Sequence, residues 1–477
     1  MSPRERARHE DASSAERPWA GRRLHLVGIG GAGMSGYARA AHALGAIVSG
    51  SDRADSPYLA RLRQEGVLQA SIGHDEANLP DEEGVELVYS SAVPPENRER
   101  VAARRRGVPQ HPRAWLLGEL TALRRTIAVA GTHGKTTTSA MAVQVLRGCG
   151  LDPGWLIGGS PGPGLANSHW SESPWLVVEA DESDRSLLSL RVEIAVLTNA
   201  ELDHHSEFAS LRALRETFAT FLAHAGTAVV VWSRSDLLEL AGCASGVEVV
   251  PYDVPEPSLH AGGSSFRWRE LRVELAVPGA HNAVNAAGAL EAVRIAGADP
   301  GAAVAAIAGF RGAGRRFERA GRTASGALVV DDYAHHPTEI RATLRAARTE
   351  LETTRGGRGR APRLVAVFQP HLYSRTQRLA AQFGAALAEA DAIAVLDVYP
   401  SRERAEDHPG VSGLLVAQAA AEAAGGREVM WLPRFADAEP VLARSLAAGD
   451  VCVVMGAGDV DALARRLASA ALGRAAR

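Results

Sequence analysis

The sequence predicts an α/β protein made of three consecutive parallel-sheet units, and three observations predict it. Apolar, strand-like runs alternate with helix-period segments along most of the 477 residues. Two of these runs pass directly into glycine-rich turns that open helical patterns, Arg22–Val27 into Gly28–Gly33 and Thr126–Ala130 into Gly131–Thr138. The strand runs also break into polar residues at their C-terminal ends, where open parallel sheets hold their ligands. We therefore expect a polar tail over residues 1–20, lacking periodicity and disordered. After it we expect a Rossmann-like unit over 21–122, a central P-loop ATPase-like unit over 123–318, and a second Rossmann-like unit over 319–477.

In the first unit, the strand Arg22–Val27 meets Gly28-Ile-Gly-Gly-Ala-Gly33, and a helical pattern follows over Met34–Leu44. Ala46–Ser49 is the second strand, leading to Ser51 and Asp52, and Val85–Ser91 is a later one. A glycine fingerprint of this kind supports pyrophosphate at a helix N-terminus, and an acid ending the second strand matches ribose recognition. Taken alone, these two features suggest NAD.

In the second unit, Thr126–Ala130 feeds Gly131-Thr-His-Gly-Lys-Thr-Thr-Thr138, with a helix from Lys135 to Leu146. Phosphates need backbone N–H donors, a helix N-terminus and one mobile cation, and this loop offers all three. Gly131, Thr132, His133, Gly134, Lys135, Thr136 and Thr137 are the candidate ATP-binding residues, and Thr136 is a candidate Mg²⁺ ligand. The loop is shorter than G-x-x-x-x-G-K-[ST], because Val129 stands five positions before Gly134. Two more buried strands, Trp175–Asp181 and Ile194–Asn199, end in Glu179-Ala-Asp-Glu-Ser-Asp184 and in Asn199-Ala-Glu-Leu-Asp-His-His205. A hard cation beside phosphates takes oxygen ligands, so Glu179 and Asp181, two apart on a strand end, are candidates. His204 is a candidate for a metal or the transferring phosphoryl group.

In the third unit, strands are expected at Ala327–Asp332, Leu364–Phe368, Ala392–Asp397 and Val451–Met455, with an exposed loop over Thr353–Pro362. Asp331-Asp-Tyr-Ala-His-His-Pro337 and Gln369-Pro-His-Leu-Tyr-Ser-Arg375 follow two of these strands. They put imidazole, phenol and guanidinium where an anion or an amino acid could be clamped.

Composition narrows the partners. A net charge of -3 advertises no nucleic-acid surface, and no apolar run is long enough to insert in a membrane. Three scattered cysteines without a C-x-x-C motif argue against a disulfide framework or a zinc site. Together with a charged N-terminus lacking an apolar segment, they point to a cytoplasmic protein. Oligomerisation is left open between monomer and homodimer.

Read together, these motifs resemble the Mur ligase family of peptidoglycan precursor synthesis, nearest its alanine-adding members. The matching stretches are Gly28–Gly36, Ser90-Ser-Ala-Val93, Gly131–Thr138, Glu179–Asp184, His281-Asn-Ala-Val-Asn285, Arg315-Arg-Phe317, Asp331–Ile340 and Leu396-Asp-Val-Tyr399. The resemblance implies that the first unit binds the UDP moiety of UDP-N-acetylmuramate and not NAD. Gly28, Gly30, Gly31, Gly33, Met34, Ser35, Asp52, His74, Ser90 and Ser91 would form that site. It implies ATP and Mg²⁺ as cofactors, with Thr136, Glu179 and His204 on the metal and Asn282, Arg315 and Asp331 added to the ATP site. Lys135, His204, His335 and Arg375 would be catalytic, and the third unit would help bind L-alanine. ATP would phosphorylate the muramoyl carboxylate, and the amine would attack the acyl phosphate. That chemistry fits the residues: a carboxylate is a poor acyl donor until it gains a leaving group, and Lys135 and Mg²⁺ offset the charge on the transferring group.

Two departures accompany the resemblance. Many relatives carry Arg where Leu372 stands, and members that add later amino acids carry a carbamylated lysine, whereas Lys135 is the single lysine of this chain. Three other readings remain testable: a ligase that recycles a ready-made peptide, a nicotinamide-dependent oxidoreductase, and a non-catalytic nucleotide-binding regulator.

Overall fold

The computed structural model describes residues 17–67, 69–203, 207–353 and 360–469. It divides into two compact units, one of Met1–Tyr252 with Gly288–Ala303 and one of Asp253–Ala287 with Val304–Arg477.

The first unit contains two parallel sheets. Strands β1 (Arg23–Val27), β2 (Ile47–Asp52), β3 (Gln69–Ile72), β4 (Val85–Tyr89) and β5 (Gln110–Pro112) pair in the order β3-β2-β1-β4-β5, all parallel. Alternate residues of β1 serve opposite faces: Leu24 and Leu26 join one cluster, while Val27 joins another with Leu79, Val85 and Leu87. Of the expected tail, residues 1–16 lie outside the described residues, and residues 17–20 are built into the fold. Trp19 is only 8% exposed, its amide bonds Leu44 O at 3.0 Å, and Arg22 stacks over its ring.

The second sheet comprises β6 (Arg125–Ala130), β7 (Gly154–Leu156), β8 (Ser168–His169), β9 (Trp175–Glu179), β10 (Val192–Leu197), β11 (Ala225–Trp232) and β12 (Glu248–Tyr252). Its order is β12-β11-β10-β6-β9-β7-β8. All its pairs are parallel except β7–β8. β6 is central and wholly buried after its first residue, which explains its unbroken apolar run. Leu116, Leu117 and Leu120 of the helix Arg113–Ala122 pack into the same cluster as Leu187 and Leu190, which lie just before β10. Gly118 allows this approach, since a Cβ there would lie 2.8 Å from Ser189 O.

The second unit holds a six-stranded sheet. It is made of β16 (Glu318–Arg322), β17 (Leu328–Asp332), β18 (Leu364–Phe368), β19 (Ala392–Val395), β20 (Glu428–Trp431) and β21 (Val451–Met455), ordered β16-β17-β21-β18-β19-β20. Only the β16–β17 pair is antiparallel. Helices cover both faces: Ile340, Leu344 and Phe383 pack on one, Leu442 and Leu463 on the other. The same unit carries an antiparallel three-stranded sheet that the sequence reading did not anticipate, β13 (Ser258–His260), β14 (Gly263–Trp268) and β15 (Leu271–Leu275). Its strands are short, and β13 is fully exposed, so its hydrophobic period is weak. Of the expected loop at Thr353–Pro362, residues 354–359 lie outside the described residues.

Candidate active site

The glycine fingerprint lies where the first sheet changes direction, between the ends of β1 and β4. Gly28 turns the chain with φ 84°, and a Cβ on it would stand 2.9 Å from Ser90 Cβ. The Gly30 amide donates to Asp52 Oδ2 at 2.8 Å, and Ser56 Oγ donates to Gly30 O at 2.8 Å. Asp52 thus shapes the loop as well as facing the cleft. Gly31 caps the helix Ala32–Ala43 without a side-chain bond, which leaves the first-turn amides of Ala32, Gly33 and Met34 for an anion.

Gly28, Gly30, Gly31, Gly33, Asp52, His74 and Ser90 are therefore gathered at neighbouring strand ends, with exposed Ser91 one residue further on. Met34 and Ser35 are not placed as expected, because both side chains are buried. Met34 can offer only its main chain. Ser35 donates its hydroxyl to Ala32 O at 2.9 Å and its amide to Gly31 O at 2.9 Å, both within its own helix turn.

The nucleotide loop follows β6 and is braced from β10. Gly131 has φ 130°, and a Cβ on it would fall 2.1 Å from Thr198 Oγ1. Asn199 holds His133 at both ends, accepting from its amide and donating to its carbonyl, each at 2.9 Å. Thr132 Oγ1 donates to Glu201 O at 2.7 Å. Gly134, with φ 82°, caps the helix Lys135–Gly148 and supplies no side-chain bond, so the amides of its first turn stay open to phosphate. Lys135 Nζ donates to Gly131 O at 2.7 Å, to Thr132 O at 3.2 Å and to Glu182 Oε2 at 2.9 Å. Burial would lower the Lys135 pKa, but the carboxylates of Glu182, Asp181 and Glu179 more than offset it and raise the value.

Thr136 and Glu179 lie side by side: Thr136 Oγ1 donates to Glu179 Oε1 at 2.9 Å. Glu179 also accepts from Gly158 N at 2.8 Å. Two hard oxygen donors at a helix N-terminus beside an anion site fit a cation such as Mg²⁺. Asp181 does not share that position. It accepts from Ser183 Oγ at 2.8 Å and pairs with Arg113 at 3.5 Å. His204, the remaining expected ligand, lies outside the described residues.

Between the helix that follows the glycine fingerprint and the end of β9 is a cavity of about 220 Å³, lined by Gly33, Tyr37, Arg113, Gly158, Glu179 and Asp181 among others. The Arg113 guanidinium is held there by Asp184 and Asp181, and burial pushes the Tyr37 phenol up to about 12. Neither Arg113 nor Glu182 was singled out from sequence. Arg113 lies 71 residues from Asp184, and Glu182 reads as part of a solvated acidic turn although its side chain is 1% exposed.

In the second unit, Arg315 ties the end of β17 to the turn after β21. Its guanidinium donates to Asp331 Oδ2 at 3.1 Å, Gly458 O at 2.9 Å and Gly456 O at 2.7 Å. Asp331 Oδ1 is buried without a hydrogen-bond partner among the described residues. Burial raises both Asp331 and Asp332 to about 6 despite the neighbouring arginines. His335 Nδ1 lies 2.9 Å from Tyr333 O and must donate to it, since a carbonyl only accepts. Its ring is 6.2 Å from that of His371, which in turn lies 3.4 Å from Arg375 Nη1. Leu372, between them, is held at φ 67° by bonds to Tyr399 O and from Thr376. His335 and Arg375 thus both follow the C-terminal ends of interior strands of the sheet, β17 and β18. Asn282 donates to Pro278 O at 2.7 Å at the start of the helix Ala280–Ile295, and burial lowers the adjacent His281 to about 4.

Comparison with known proteins agrees with this geometry. Three family models match: "Mur ligase family, catalytic domain" over residues 23–125, "Mur ligase middle domain" over 129–293, and "Mur ligase, glutamate ligase domain" over 315–458. Two curated relatives are named UDP-N-acetylmuramate–L-alanine ligase. That of Mycolicibacterium vanbaalenii is 43% identical over 93% of this chain and 95% of its own. That of Kineococcus radiotolerans is 46% identical over 92% and 94%. Among solved structures, the UDP-N-acetylmuramate-alanine ligase MurC of Thermotoga maritima superposes with a TM-score of 0.78 at 27% identity, covering 95% of this chain and 100% of its own. Three matched segments, and relatives this similar over almost their whole lengths, establish that the chain belongs to the Mur ligase family.

Proposed function

We propose that this ligase joins L-alanine to UDP-N-acetylmuramate in peptidoglycan precursor synthesis, in the cytoplasm, as a monomer or homodimer. The muramoyl carboxylate attacks the γ-phosphorus of ATP, releasing ADP and forming an acyl phosphate. The amine of alanine then attacks the acyl carbon, and the tetrahedral intermediate expels phosphate. The observation that carries this reading is the pairing of a pyrophosphate-type glycine loop with a separate nucleotide loop, with a cavity between the helix after the first loop and Glu179, in a chain whose curated relatives bear that name.

In this reading, Gly131–Thr137 cradles the ATP phosphates and Lys135 holds the transferring phosphoryl group. Mg²⁺, when bound, neutralises phosphate charge, and Thr136, Glu179 and His204 are the residues that would hold it. Asn282 is assigned to adenine, and Arg315 and Asp331 to the nucleotide, Asp331 through its unpaired oxygen. Gly28, Gly30, Gly31, Gly33 and the main chain of Met34, with Asp52, His74, Ser90 and Ser91, are assigned to the UDP moiety. Arg113, which the sequence reading missed, is assigned to the acidic substrate entering the cavity. His335 and Arg375 are assigned to the amino acid and the intermediate.

Phosphate release should require ATP, UDP-N-acetylmuramate and L-alanine together. Turnover driven by a tripeptide in place of alanine would reassign the chain to peptide recycling, and tight NADH binding in place of the UDP-sugar would overturn the reading.

A further inference from the structure

Glu99 is a fully buried carboxylate that no step above uses. It lies in the first turn of the helix Arg98–Arg106, 0% exposed, beneath the ends of β1, β2 and β3. Four side chains converge on it. His25 Nε2 is 2.7 Å from Oε2, Ser51 Oγ is 2.7 Å from Oε1, His74 Nδ1 is 3.0 Å from Oε1, and Asn78 Nδ2 is 3.3 Å from Oε1. Burial would raise its pKa, yet the bonds from His25 and Ser51 bring the net value below the ordinary range, so it stays ionised.

An ionised carboxylate only accepts, so every one of these partners donates. Ser51 gives its single hydroxyl proton to Glu99, and its oxygen can then only accept from His74 Nδ1, which is also 3.0 Å away. Both neighbours of Nδ1 therefore require a proton on Nδ1. In the neutral ring Nε2 is then a bare lone pair. It has no protein partner among the described residues, and the His74 side chain is 22% exposed. It sits just past β3, next to Gly73, whose amide bonds Asp52 O at 2.8 Å, and so beside the glycine loop.

We propose that Glu99 is a positioning residue that fixes His74 as the Nδ1–H tautomer, making Nε2 an acceptor that selects an N–H or O–H donor on the bound nucleotide. This rests on the assignment of the UDP moiety to this cleft. The donor is the imide N–H of the base or a ribose hydroxyl, and a phosphate oxygen is excluded because it has no proton to give. The same carboxylate secures Ser51, whose carbonyl accepts from the amides of Gly28 and Ile29 at 2.8 and 3.1 Å, so the acceptor and the glycine loop share one anchor.

The test uses the full chain labelled with ¹⁵N, with the His74 ring signals identified by their loss in His74→Gln. Wild type should show Nδ1 protonated and Nε2 bare. Calorimetry then compares UDP with N3-methyl-UDP and with 2′- and 3′-deoxy-UDP. One analogue should bind about tenfold more weakly than UDP, the equivalent of one hydrogen bond, and that difference should vanish in Glu99→Gln. With UDP-N-acetylmuramate as substrate, Glu99→Gln should raise KM with kcat changed by less than about twofold. A proton on His74 Nε2 in wild type overturns the proposal, as do analogues that all match UDP. Both of those measurements are made on wild type and survive a Glu99→Gln chain that does not fold. Failure of UDP itself to bind wild type sinks the underlying site assignment instead.

Discussion

Lys135 Nζ lies 2.9 Å from Glu182 Oε2, with 11% and 1% of the two side chains exposed, and this pair closes the nucleotide loop onto the strand beside it. Removing one member strands the other. Lys135→Ala should lower kcat by about 10²–10³-fold, as for the loss of one preorganised electrostatic contact. It should also cost about 3–5 kcal/mol of stability, because Glu182 is left buried without its cation. Adding Glu182→Gln to that variant should recover most of the stability and none of the activity. Thermal melts beside the phosphate-release assay separate the two effects. Equal melting temperatures for the single and double variants would show that the pair carries no structural weight.

Gly131→Ala is expected to fail in a different way. Its φ of 130° is closed to side chains, and the new methyl would overlap Thr198 Oγ1, which itself donates to His133 O at 2.6 Å. The loop must open at both points, at a cost of about 2–3 kcal/mol or more. ATP binding measured by calorimetry should be lost while UDP binding persists, since the two glycine loops belong to different sheets. Retained ATP affinity would mean that the loop tolerates a shape the structure does not allow.

Gly33→Ala separates function from stability in the opposite sense. The residue is helical, so alanine should be neutral or add about 0.5–1 kcal/mol. The added methyl would approach Arg113 Nη1 to 2.9 Å and press the guanidinium away from Asp184. KM for UDP-N-acetylmuramate should rise about tenfold with the melting temperature unchanged or higher. An unaltered KM would remove Arg113 from the substrate site.

The pH dependence of the second unit should carry the signature of Asp331. Its carboxyl titrates at about 6 when folded, above its unfolded value, so the folded chain binds this proton more tightly. The stability this contributes is complete below the unfolded pKa and is lost as pH rises through about 6. Asp331→Asn mimics the protonated form. Its stability relative to wild type should therefore be near zero at pH 4 and favourable by about 3 kcal/mol above pH 7. Melts across that range check it, and a difference that shrinks with rising pH would reverse the sign.

Much of this architecture could be read directly from the residues, for identifiable reasons. β18 and β21 match their sequence expectations to the residue, because wholly buried parallel strands are unbroken apolar runs. Other strand ends shift by a residue or two: β9 stops at Glu179, where the chain turns to bring that carboxylate to Thr136. The nucleotide loop was legible because its chemistry is local, with glycines, lysine and threonines in eight consecutive positions. What escaped was non-local. Arg113 meets Asp184 only through the folded helix, and Glu99 sits in a segment, Arg-Glu-Arg-Val-Ala-Ala-Arg-Arg-Arg, that reads as a solvated charged face. The buried position of Glu99 depends on β1, β2 and β3 lying side by side, and strand order is not written in any one of them. Ser35 is a case of the opposite kind. It belongs to a recognisable motif, but helix geometry turned its hydroxyl back onto Ala32 O.

A chain with one lysine is also a chain with one side-chain amine, and here that amine is enclosed with its hydrogens directed at two carbonyls and a carboxylate. Among the side chains of this sequence, acylating reagents, isothiocyanates and amine-directed cross-linkers therefore find one amine, that of Lys135. Reaction there reports a single event, the opening of the loop around its ammonium group.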